Sequence, residues 1–407
     1  MSRGPGRPRL QHLPAAPWRW RWRWRRRRRR RRRQLTARFT RARVTVVRHR
    51  PVATFKSTPE DFLVDEIPAY APSGEGDHLF VRFRKRGRTT DEIVTALARG
   101  LNVQSRDIGV AGLKDKVAVT TQTVSVPRRP ELEARLRDLV IPGFELLEAA
   151  WHKNKLKTGH LRGNRFTVVV RDIDDVDGAE RRFSEIAKKG VPNAFGSQRF
   201  GHGQSNIARA QAWLRGDDRG PRDPKARRFL FSAWQSSIFN RVLELRIADG
   251  SWAGVLPGDI LVKHDSGGIF LCTDAAIDQL RADELSVSAT GPMIGEKMRF
   301  PEGAARAIED RVIREALETL KIADATEFFS RHATLGEGTR RPLRQIVSDL
   351  QTFREHTNAL RVQFVLPSGA YATTVLSHAI ADLTEDRTDD RPPASQPSQM
   401  SSTELSS

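Results

Sequence analysis

The chain has 407 residues, 38% hydrophobic and 29% charged, which allows a folded body of two or three domains and excludes a wholly disordered chain. No stretch reaches the roughly 18 apolar residues that cross a bilayer, and the single cysteine, Cys272, excludes an internal disulfide and a thiolate cluster, so a soluble cytoplasmic protein is expected. The net charge of +21 is lopsided: residues 1–50 hold 20 of the 70 basic side chains and no acid, leaving 50 basic against 49 acidic groups in the remaining 357, so RNA affinity of the body must come from local patches.

Taken in chain order, the sequence opens on a tail in which Trp and Arg alternate from Trp18 to Trp24 before nine arginines, Arg25 to Arg33. Its self-repulsion predicts disorder up to residue 43. It serves either as an electrostatic RNA anchor whose indoles stack on bases or as an accidental extension upstream of the true start. Phe62 to Ile67 reads as a strand, and Leu79, Val81 and Phe83 alternate with polar residues as in a half-buried one. A helix follows, capped by Thr90, with Ile93, Val94, Leu97 and Ala98 on its apolar face. The apolar segment Ile108 to Leu113 leads to Lys114-Asp115-Lys116, a charged turn at a sheet rim, and then to a strand-like run from Val117 to Val126. From Arg165 to Arg171, Phe166, Val168 and Val170 share one strand face. Phe231 to Arg246 is predicted helical with Trp234, Ile238, Val242 and Leu245 on one stripe. Val362 to Val365 and Tyr371 to Val375 flank a loop that closes a strand onto a helix, and the Asp-, Pro- and Ser-rich stretch from Thr384 onward is predicted disordered.

Three segments are candidates for chemistry. Asp115 is a lone carboxylate between two lysines on a turn; the flanking charges favour an anion that serves as a nucleophile and draw in a phosphate backbone. A solvated Lys-Asp-Lys turn is the alternative. In the basic run from Asn154 to Phe166, Lys155, Lys157 and Arg162 suit phosphates, Asn164 a base edge and Phe166 a base face. The alternative there is a tight Gly163-Asn164 hairpin with Phe166 in the core. The third segment, Asn193 to Gly201, interleaves polar groups with Phe195 and Phe200, and otherwise reads as an ordinary packed loop. No histidine–cysteine ligand spacing, phosphate-binding lysine loop or complete dinucleotide fingerprint is present, so neither metal nor cofactor is called for.

These three segments resemble, in order and spacing, the signature motifs of the tRNA pseudouridine synthase D family. Phe55-Lys56 with Pro59-Glu60-Asp61-Phe62 and Gly74-Glu75-Gly76-Asp77-His78 resembles that family's opening, and Phe364 to Thr373 its closing, so the similarity covers Phe55 to Ile380. The resemblance implies a pseudouridine synthase fold of mixed α/β type. A mainly antiparallel mixed sheet would form the catalytic domain over residues 44–189 and 341–383, with a second α/β domain inserted at 190–340. It implies conversion of uridine 13 of transfer RNA to pseudouridine by a monomeric, cofactor-independent enzyme, with Asp115 as nucleophile at ribose carbon 1′ or at carbon 6 of the uracil. It places Lys56 beside the nucleophile and Phe62, Asn164, Phe166 and Tyr371 around a flipped-out uridine. Lys155, Lys157, Arg162 and Arg199 fall at the lips of an RNA cleft. Ala194 stands where the family commonly has an aromatic residue and Tyr371 where phenylalanine is usual. The rival expectation is a non-catalytic RNA-binding protein, or a synthase for another RNA.

Overall fold

A computed structural model describes residues 52–386; the arginine-rich tail and the polar residues after Asp386 lie outside the described part. The strands and helices of the first half are β1 (Thr54–Phe55), β2 (Phe62–Pro68), β3 (His78–Arg86), α1 (Thr90–Gly100), β4 (Gly109–Val110), β5 (Val119–Pro127), α2 (Leu132–Asp138), β6 (Phe144–His152), β7 (Leu161–Arg171) and α3 (Val176–Lys189). After β8 (Val191–Pro192) come α4 (Ser197–Phe200), α5 (Ser205–Arg215), α6 (Pro224–Ala248), β9 (Ile260–Lys263), β10 (Ile269–Leu271), α7 (Ala275–Asp283), β11 (Val287–Met293), α8 (Gly303–Thr319), α9 (Ala325–Arg331) and β12 (Thr339–Pro342). The chain then returns through β13 (Arg344–Gln345), β14 (Ser348–His356), β15 (Ala359–Pro367), α10 (Ala372–Ala379) and β16 (Thr384–Glu385).

Ten of these strands form one sheet, ordered β14-β15-β7-β2-β5-β3-β6, with β1, β4 and β16 added at the side. Pairing is antiparallel except between β2 and β5 and between β1 and β16. Period-2 burial builds it: Leu79, Val81 and Phe83 on β3 and Phe166, Val168 and Val170 on β7 are all buried. The sheet carries two apolar cores. One is closed by Phe183 and Ile186 of α3 with Val375 and Leu376 of α10, the other by Ile93 and Leu97 of α1 with Leu132 and Leu136 of α2.

The segment between β8 and β13, which pair with each other, builds a second sheet ordered β10-β9-β11-β12 and most of the remaining helices. The 25-residue α6 runs through it with both sides covered: Leu230, Trp234, Ile238 and Val242 join one core, and Phe239 and Leu243 another. A helix buried on two faces shows a blunted apolar stripe. Cys272 lies in this second core, where burial pushes its thiol up to about 11.

Three expectations are corrected. Thr89, not Thr90, caps α1; its hydroxyl accepts the Glu92 amide, and Glu92 returns the bond to the Thr89 amide. Gly163 and Asn164 form no hairpin but sit inside β7, between β2 and β15. A Cβ on Gly163 would meet the Leu366 carbonyl oxygen at 2.2 Å, so glycine is there for close strand approach, not for a turn. Thr384 and Glu385 are ordered as β16, held by the Thr384 amide on the Ala53 carbonyl and the Asp386 amide on that of Phe55. Composition marks the polar tail but not where backbone pairing stops.

Deep in the second sheet, Arg340 of β12 makes a two-pronged pair with Glu309 of α8 at 2.6 and 2.8 Å, both side chains almost fully buried. Burial pushes the Glu309 carboxyl up, and the guanidinium opposes that shift. Truncating the arginine strands a buried carboxylate. Arg340→Ala is therefore expected to cost about 3–5 kcal/mol in urea unfolding, against under 1 kcal/mol for removal of an exposed pair such as Arg84→Ala.

Candidate active site

Two strands carry a charged residue where their buried face calls for an apolar one. On β2 the inward series is Phe62, Val64, Glu66; on β3 it is Leu79, Val81, Phe83, Lys85. Both charges turn toward the loop between β4 and β5. Glu66 accepts the Lys114 ammonium at 3.0 Å, with both side chains buried, and its other oxygen accepts the Thr123 amide at 3.2 Å. Lys85, with no exposed surface, donates to the carbonyl oxygens of Asp115 at 2.7 Å and Arg88 at 2.6 Å. Thr90, released from capping, accepts the Lys114 amide at 2.9 Å and donates to Gln122 at 3.0 Å. Residues 114 and 115 are thus gripped by backbone and side chain alike, while the Asp115 carboxylate remains 65% exposed.

The carboxylate's cation comes from far away in sequence. Lys56, buried and in the left-handed backbone region (φ 62°), places its ammonium 3.1 Å from Asp115 Oδ2 and 2.8 Å from Glu385 Oε1, 4.5 Å from the centre of the Phe62 ring. Of the two flanking lysines, Lys114 is committed to Glu66, and Lys116 is exposed.

Asp115 opens onto a cavity of about 370 Å³, within the size range of small-molecule sites. Lys56, Phe62, Asn164, Phe166 and Tyr371, all expected from sequence, line it together with Asp115. Phe62 and Phe166 meet edge to face at 6.0 Å, Phe166 stacks on Phe364 at 5.5 Å, and both are nearly buried, so they form an apolar floor. Tyr371, 59% exposed, stands at the mouth just before α10. Asn164 Oδ1 is buried and makes no hydrogen bond among the described residues. Leu113, 69% exposed, forms part of the rim. Of the expected RNA contacts, Lys155, Lys157 and Arg162 lie outside this cavity; Lys157 and Arg162 are exposed, and Lys155 donates to the Arg106 carbonyl. Arg199 lines a neighbouring hollow that shares Tyr371.

Glu66, Lys85 and Thr90 were missed as site residues, although a charge breaking the apolar alternation at Glu66 and Lys85 was a readable signal. Among the described residues no group of three or more His, Cys, Asp and Glu side chains is placed to hold a metal ion, and no helix is long and apolar enough to cross a membrane.

Burial lowers the Lys85 ammonium from its ordinary 10.5 to about 8, with the Asp115 charge opposing the shift. The folded value lies below the unfolded one, so between those limits the unfolded chain holds a proton that the folded chain has released. Stability from this group therefore rises with pH over that interval and is flat below it. The stability of the wild type relative to Lys85→Met, from paired urea titrations, should increase between pH 8 and pH 10; a constant difference would show that the lysine does not titrate there.

The chain matches the family model described as tRNA pseudouridine synthase D (TruD) over residues 49–217 and 223–378. It is 45% identical over 341 residues to the tRNA pseudouridine synthase D of Anaeromyxobacter dehalogenans strain 2CP-1, covering 81% of this chain and 94% of that one. It is 43% identical over 319 residues to a protein of that name from Thermus thermophilus, covering 78% and 86%. A Methanosarcina mazei crystal structure bearing the tRNA pseudouridine synthase D name superposes with a TM-score of 0.67 at 24% identity, over 81% of this chain and 94% of that one, and establishes the shared fold. With the Asp115-bearing loop clamped at the sheet rim and a family match across nearly all of the described residues, this chain belongs to the tRNA pseudouridine synthase D family.

Proposed function

We propose that the protein isomerises uridine to pseudouridine in transfer RNA, at position 13, with Asp115 as the nucleophile. The observation that carries this reading is the meeting of an exposed, lysine-paired carboxylate with an aromatic-floored cavity and an unpaired amide oxygen. Residues 190–340 act as an inserted domain, and the RNA lies in the cleft between it and the main sheet. The target base is blocked inside a stacked helix, so it must first swing out.

In the cavity the uracil packs against Phe62 and Phe166, and Tyr371 covers it at the mouth. Asn164 Oδ1 accepts the imide N3–H of the base, relieving a buried carbonyl whose unpaired state costs about 1–3 kcal/mol. Asp115 then attacks ribose carbon 1′ or uracil carbon 6, and Lys56 holds the carboxylate in place for either route. The bond between nitrogen 1 and carbon 1′ breaks, the base turns within the cavity, and carbon 5 bonds to carbon 1′. The proton on carbon 5 leaves and nitrogen 1 gains one. Atoms and electrons balance without oxidant, reductant or co-substrate, with both protons exchanged with solvent, and the protein supplies a nucleophile, orientation and an apolar floor.

Asp115→Asn keeps the shape and removes the nucleophile. Pseudouridine formation on unmodified transfer RNA, mapped by mass spectrometry, should fall by roughly four orders of magnitude or more while RNA affinity stays within about twofold. Near-normal turnover by that variant ends the proposal. Asn164→Ala should lower kcat/KM by about tenfold to a hundredfold through loss of one directed hydrogen bond to the base; an unchanged kcat/KM would remove Asn164 from base recognition.

A further inference from the structure

Beside the uridine cavity lies a second hollow of about 540 Å³, which shares Gly369, Ala370, Tyr371 and Thr373 with it. Its wall holds two guanidiniums, Arg199 and Arg341, and no carboxylate. Neither arginine forms an ion pair with an Asp or Glu among the described residues. Arg341 leans on neutral groups, the Asn193 carbonyl at 3.3 Å and Asn193 Oδ1 at 2.5 Å. The Phe195 ring lies 4.1 Å from the Arg341 guanidinium and 5.5 Å from that of Arg199. Phe229, 41% exposed, lies under Arg199 at 5.7 Å. By contrast, the buried Arg246 and Arg340 are each matched to a buried carboxylate, Asp259 and Glu309.

Two partly desolvated cations of like sign are held together here without an anion. Burial, and then the charge of Arg199, lower Arg341 to about 10. A ligand anion would relieve both costs, and a guanidinium fork matches the oxygens of a phosphate. Chain continuity says which phosphate. A uridine seated in the first cavity stays bonded to its neighbours on both sides, and the lip formed by Gly369 to Thr373, shared by the two hollows, gives one flanking phosphodiester a path onto these arginines. We infer that Arg341, with Arg199, binds the phosphodiester flanking the target uridine, and that Phe229 offers a stacking face to the adjoining base. The inference rests on the first cavity being the uridine site.

The test is transfer RNA binding by the full chain across a salt series, alongside conversion assays. Arg341→Gln and Arg199→Gln should each weaken binding roughly tenfold and make the slope of log affinity against log salt shallower by about 0.7. Arg341→Lys should restore the slope, since it restores the charge, but not the full affinity, since it lacks the fork. A neutral methylphosphonate at the phosphate flanking the target should penalise the wild type by a similar factor and add nothing to the loss in Arg341→Gln. The Arg199 variant and the methylphosphonate RNA decide the matter even if Arg341→Gln does not fold. Wild-type slopes in both glutamine variants, or a full methylphosphonate penalty in either, overturn the inference. A wild-type protein that binds RNA but converts no uridine refutes the synthase reading, and the salt slopes then still judge the arginine site.

Discussion

The arrangement depends on two buried charges that hold one loop. Glu66 and Lys85 come from neighbouring regions of the sheet, and each spends its burial on residues 114 and 115, one through the Lys114 ammonium and the other through the Asp115 carbonyl. Burying a charge is costly unless it is fully hydrogen-bonded, so such groups tolerate few alternative loop positions. The consequence is an exposed carboxylate on a backbone held by hydrogen bonds at residues 114 and 115. A nucleophile needs that combination, because an unrestrained side chain loses the entropic advantage of being already in place.

Around this fixed point the fold gathers partners from distant parts of the chain. Lys56 arrives directly after the short strand β1, kept in line by that strand's pairing to β7 and β16; Glu385 then shares its ammonium. Asn164 and Phe166 arrive on β7, which adjoins both β2 and β15, and Tyr371 follows β15 closely. The antiparallel register of β7 with β15 sets Asn164 opposite Leu366, a few residues before the loop that leads to Tyr371. One set of ladder pairings therefore places the floor, the Asn164 amide and the mouth of the cavity together. The segment between β8 and β13 adds the adjoining arginine-lined hollow, so that two differently charged spaces meet at Tyr371.

The two arginines of β12 show how the same side chain meets different partners on the two sides of one strand. Arg340 is neutralised by Glu309 and fixes β12 in the interior. Its neighbour Arg341 points to the other side of the strand, as alternation requires, and finds aromatic rings and an amide in place of an acid. A paired buried cation is a structural element, whereas one left without an anion beside an open hollow is suited to a ligand.

Alternation and motif spacing in the sequence alone determined most of the main strands, the apolar face of α1, the turn bearing Asp115, and the family resemblance that named Lys56, Phe62, Asn164, Phe166 and Tyr371. These are local or ordered patterns, legible because side-chain period and chain order survive without coordinates. What only the tertiary structure decided is which charges meet. The flanking lysine of Asp115 turned out to serve Glu66, its ion-pair partner stands 59 residues earlier, and Glu385, assigned to a disordered tail, completes the pair. The placement of Gly163 in mid-strand was likewise invisible, because close approach to Leu366 is a property of two strands brought together and not of either one alone. Charge pairing across a sheet depends on register and burial, and neither is written at any single position of the chain.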